Sequence, residues 1–186
     1  MATTKLNQQQ LNDYNFNNSM ARQAIINGNF DVWQRGTSFS NPLNVSYSAD
    51  RWKTLITNNG TLPTTITHSR QAITPGELNN AFYHHRIDSN GAGSGFGASD
   101  NYSLTQWIEH GTRLLAGDGK KVTISFYAKS SISGKKLGVR LWQYYGSGGS
   151  PTAVEKITGA NWELSTTWTK YTHTFTTNTL SGKTFG

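Results

Sequence analysis

Cysteine is absent from the 186 residues. Disulfides, Cys-ligated metals and thiol catalysis go with it. Charge is scarce: Asp, Glu, Lys and Arg make up 15% of the chain, against ~25% in an average domain. A coiled coil, which needs Ala, Glu, Lys, Leu and Arg in quantity, is excluded. No apolar run approaches the ~18 residues of a membrane-spanning helix, so no membrane partner is expected. Residues 1–10 lack the apolar centre of a secretory signal. Acids are rarer than bases, which leaves a net charge of +7. The bases are scattered, with Lys120–Lys121 and Lys135–Lys136 as adjacent pairs. Nucleic-acid modules carry denser basic stripes, so no nucleic-acid partner is expected.

Ser, Thr, Asn, Gln and Gly together approach half the chain, and aromatics reach 12% with six Trp. Disorder goes with few aromatics and high charge, so this is a folded, polar, turn-rich protein. Residues 1–24 stand apart. They are rich in Asn and Gln and hold sparse apolar anchors, Leu6, Leu11, Tyr14, Phe16 and Met20. Such a segment cannot build a core of its own. It reads as an extended or short-helical arm that orders on a partner, with those five residues docking.

From residue 25 onward, segments rich in Val, Ile, Thr and aromatics alternate with Gly, Asn and Pro clusters. Strands are expected near 24–27, 29–33, 51–57, 64–68, 82–88, 102–108, 121–129, 136–145, 154–164 and 167–176, with one helical turn within 104–115. Val122, Ile124, Phe126 and Ala128 alternate with Thr123, Ser125, Tyr127 and Lys129, a half-buried antiparallel strand. Leu137, Val139, Leu141 and Gln143 alternate with Arg140, Trp142 and Tyr144. Tyr171, His173 and Phe175 alternate with Lys170, Thr172 and Thr174. The fold class expected is all-β, a jelly-roll β-sandwich over residues 25–186 behind the 1–24 arm.

The sequence holds no catalytic signature. Gly93-Ser94-Gly95 and Gly146-Ser147-Gly148 lack the strand and helix flanks of a nucleophile elbow. Asp31, Asp50, Asp88, Asp100, Glu109 and Glu163 are scattered, whereas a glycosidase needs two positioned carboxylates. His84 and His85 are adjacent, so in a strand they face opposite ways. No metal ligand set and no cofactor is expected, although calcium held by backbone carbonyls and one Asp leaves no sequence signature. The aromatics are more informative. Trp142, Tyr144 and Tyr127 fall on the solvent faces of their strands, with Tyr145 following at the strand end. Exposed aromatics on a polar surface grip sugar rings, build subunit interfaces or pack beneath neighbouring elements. As a glycan platform the four residues would act together.

Several blocks resemble phage tail fibres and other virion proteins. They are Asn27-Gly28-Asn29-Phe30-Asp31-Val32-Trp33-Gln34-Arg35-Gly36-Thr37-Ser38-Phe39, Tyr47-Ser48-Ala49-Asp50-Arg51-Trp52, Val122-Thr123-Ile124-Ser125-Phe126-Tyr127-Ala128-Lys129, Gly146-Ser147-Gly148-Gly149-Ser150-Pro151, and Trp168-Thr169-Lys170-Tyr171 followed by Ser181-Gly182-Lys183-Thr184. More distantly, their order resembles CenC-like carbohydrate-binding jelly rolls. The resemblance implies a non-enzymatic structural protein of a virion appendage, a homo-oligomer, expected as a trimer. It would dock on other phage tail or particle proteins and attach to a host-surface glycan. A free glycan-binding module, a capsid or head decoration protein and a depolymerase fragment are the alternatives. In it Trp33, Trp52 and Phe126 read as core. The family normally continues past the Ser-Gly-Lys-Thr segment, so a further strand is expected beyond Gly186 or from another chain.

Overall fold

The structure, a computed structural model, describes residues 24–59, 62–79, 81–90 and 99–186. The expected docking residues Leu6, Leu11, Tyr14, Phe16 and Met20 lie outside them. The fold is all-β with antiparallel sheets, as the alternation implied. The strands gather in two compact units, the first ending at Ile108 and the second being Glu109–Gly186. Among the described residues each ladder is internal to one unit.

In the first unit, β1 (Ser38–Ser40), β3 (Thr65–Ala72) and β4 (Tyr83–Asn90) form one sheet. β2 (Trp52–Thr57) and β5 (Asn101–Gln106) form the other. Their inner faces meet through aromatic and imidazole rings. Tyr102 on β5 reaches His68 on β3, with Oη and Nε2 2.7 Å apart. His68 Nδ1 is 3.0 Å from His85 Nε2 on β4. Phe30 and Trp33 close over His85 at ring distances of 5.3 and 5.0 Å.

The expected strands at 24–27 and 29–33 are turn and irregular loop instead. Asn27 and Phe30 both adopt left-handed backbone, φ 53° and 57°. That conformation is costly for Phe and more accessible to Asn. Long-range hydrogen bonds hold it. The Asn27 amide donates to the carbonyls of Val32 and Asp50, while its Oδ1 accepts from the Val32 N–H. The Trp52 indole N–H donates to the Asn27 carbonyl. Asp50 accepts from the Gln34 N–H and pairs with Arg35 at 2.8 Å. The Asn27–Phe39 and Tyr47–Trp52 blocks are thus parts of one clamp, with Trp33 buried and Trp52 half-buried.

In the second unit, α1 (Gly111–Leu115) is a single turn, inside the expected 104–115 window. β6 (Lys121–Ala128) pairs with β9 (Thr169–Thr176), and β7 (Lys136–Gln143) with β8 (Glu155–Glu163). The β7–β8 hairpin is nested inside the β6–β9 pair. Alternation along β6 is complete: Val122, Ile124, Phe126 and Ala128 turn inward, half-buried, while Thr123, Ser125 and Tyr127 are exposed. Phe126 meets Trp162 of β8 and Tyr171 of β9 at ring distances of 5.7 and 5.9 Å, so the two sheets face each other across these rings.

Candidate functional site

The outer face of the β7–β8 sheet holds the aromatics singled out from the sequence. Because Leu141 and Gln143 turn inward, Trp142 and Tyr144 turn outward, 44% and 42% exposed. Two residues apart on an extended chain, they stand about 7 Å apart. The Tyr144 N–H donates to Thr112 Oγ1, which ties the strand's end to α1. Across the ladder Lys156 is the register partner of Trp142, and its ammonium lies 5.2 Å from the indole ring centre.

The other two expected platform residues are elsewhere. Tyr145 continues the alternation inward and is buried, 1% exposed. Its hydroxyl donates to Glu155 Oε2 at 2.6 Å and accepts from the Gln143 amide at 3.1 Å. Burial and the Glu155 carboxylate push this phenol up to about 12. Glu155 is held down to about 2, first by Lys183, then by Tyr145 and Asn178. Tyr145 therefore belongs to a network fastening the Ser181–Thr184 segment, and it presents no face to a ligand. Tyr127 is exposed, but on β6, whose neighbour Phe126 points at Trp162. It lies on the opposite face of the sandwich from Trp142 and cannot join its platform.

The register of β7 and β8 shifts beside Trp142. Val139 pairs with Ala160 and Leu141 with Ile157, so β8 carries one extra residue. Gly159 makes the bulge possible: a Cβ there would run into the Val139 carbonyl. Bulges bend a strand and re-aim its side chains. Here an open groove of about 310 Å³ follows, lined by Arg140, Lys156, Thr158 and Asn161 among others. Sequence reasoning missed these four residues. The available signal was a lone Gly inside a strand, which often marks a bulge.

Arg140 and Lys156 are in no ion pair among the described residues. The acids considered for catalysis are tied or apart. Asp50 is bound to Arg35, Asp88 to Arg86, and Asp100 accepts the Asn59 N–H. Among the described residues no three His, Asp or Glu side chains gather as a metal site. The β7–β8 face thus offers stacking, cations and amide and hydroxyl groups, the means of binding a polar ligand. Comparison of the chain with family models, with curated proteins and with solved structures gives no match.

Proposed function

We propose that this chain is a structural attachment protein of a virion appendage such as a phage tail fibre. Its N-terminal arm would dock on the particle, and the second unit would bind a host-surface glycan. The observation that carries the binding role is the pair Trp142 and Tyr144, exposed side by side on an outer sheet face beside a polar groove. A sugar ring has an apolar C–H face that stacks on such rings and hydroxyls that suit Asn161 and Thr158. The virion role rests on the resemblance of the Asn27–Phe39, Tyr47–Trp52 and later blocks. Assembly as a trimer agrees with the closed symmetry of most homo-oligomers.

The test is a glycan array with the purified chain and Trp142→Ala. Binding by the parent that is lost in the variant, with an unchanged melting curve, supports the reading. Binding unchanged by the substitution removes Trp142 from the site. A substitution that instead changes the mass in light scattering makes this face a subunit interface.

A further inference from the structure

We infer that the β7–β8 face selects sugars that carry a carboxylate, such as uronic acids, over neutral ones. This rests on the glycan-binding reading above and adds the class of ligand. Along the outer face the ladder sets Lys136 opposite Glu163. Arg140 falls at the register shift and Lys156 stands opposite Trp142, so neither has an acid as its register partner. They come from different strands and meet at the groove the bulge opens. Among the described residues no carboxylate lines that groove.

The placement relative to the stacking surface gives the selectivity. Arg140 is two residues before Trp142 on the same face, about 7 Å along the strand. Lys156 holds its ammonium over the indole. A ring laid on Trp142 would lift this flexible lysine to the sugar's rim, where an equatorial carboxylate projects. The exposed cation–π contact given up is weak, and the ion pair that replaces it is charge-assisted. Arg140 adds a planar fork that matches a carboxylate's two oxygens. A polynucleotide would want a track of cations along its backbone, whereas this face offers two beside one ring.

The experiment is calorimetric titration of the full chain with tetragalacturonate and with its methyl ester, in which a methyl group caps each carboxylate and removes its charge. The acid should bind about ten-fold more tightly at low salt. Arg140→Gln with Lys156→Gln should remove that preference, bringing the affinity for the acid to that for the ester. Trp142→Ala should weaken both. Equal binding of acid and ester that still needs Trp142 overturns the acidic selectivity and leaves the platform standing. No binding of either overturns platform and selectivity together. Equal binding of an oligothymidylate of matched charge would make the face a general polyanion surface and also overturn the inference.

Discussion

Mild acid should destabilise the first unit through His68 and His85. His68 is completely buried, and burial lowers its pKa from 6.5 to about 4. Burial, with the imidazoles of His68 and His84 nearby, lowers His85 to about 3. Both rings are neutral when folded at pH 5, while in the unfolded chain both are protonated. The unfolded state therefore takes up more protons as pH falls through 6.5, and stability declines from there towards pH 4. At pH 5 each ring accounts for up to about 2 kcal/mol, the pair for up to about 4 kcal/mol. That is a large part of the ~5–15 kcal/mol that holds a typical domain together. The check is urea denaturation followed by Trp fluorescence between about pH 7.5 and 5, comparing the parent with His68→Gln/His85→Gln. The variant should be less stable at neutral pH, because it loses the Tyr102–His68–His85 chain, but its midpoint should depend far less on pH. A parent midpoint that stays flat across this window refutes the reasoning. So would imidazole resonances of His68 and His85 that titrate near 6.5 in the folded protein.

Three further outcomes are expected. Phe126→Ala should cost ~3–5 kcal/mol, because the ring stands between Trp162 and Tyr171; a loss under ~1 kcal/mol in denaturant unfolding would mean that the β6 faces are assigned backwards. Gly159→Ala should destabilise by ~1–3 kcal/mol, since its methyl meets the Val139 carbonyl, and amide exchange should quicken on both sides of the bulge. Lys183→Ala should return the Glu155 carboxyl towards 4.5, visible in its NMR titration. Because the folded carboxyl is held down, the stability that this pair supplies is present above about pH 4.5 and fades towards pH 2.

The second unit was the more legible in the sequence. Alternation along β6, β9 and β7 from Val139 onward reported burial directly, because one face of each strand packs and the other meets solvent, whereas Leu137 at the start of β7 is exposed. The same parity, carried two residues past Gln143, places Tyr145 inside. Its position at the strand end hid this. What parity cannot say is which sheet a strand joins. That is why Tyr127 and Trp142, both outward, look equivalent in sequence and stand on opposite faces. The 24–33 region misled for a different reason. Its Phe, Val and Trp are strand formers, but Asn27 is locked by partners 25 residues away, and such tertiary bonds override local preference. No break in composition near residue 108 marks the division into two units. The groove beside Trp142 depends on a register shift between two strands, a relation between segments that neither one encodes alone.

The nesting of β7–β8 within β6–β9 bears on how this unit folds. Pairing Ala128 with Thr169 first would close a loop of about 40 residues at full entropic expense. Once the hairpin has formed, only the short stretches 129–135 and 164–168 remain loose, and the closure becomes easier by about 1 kcal/mol. The hairpin turns at 144–154, a local event, so the inner pair should zip first and carry the outer strands together. The bulged ladder that shapes the groove would then be the nucleus of the unit, and substitutions at Gly159 should slow folding more than they speed unfolding.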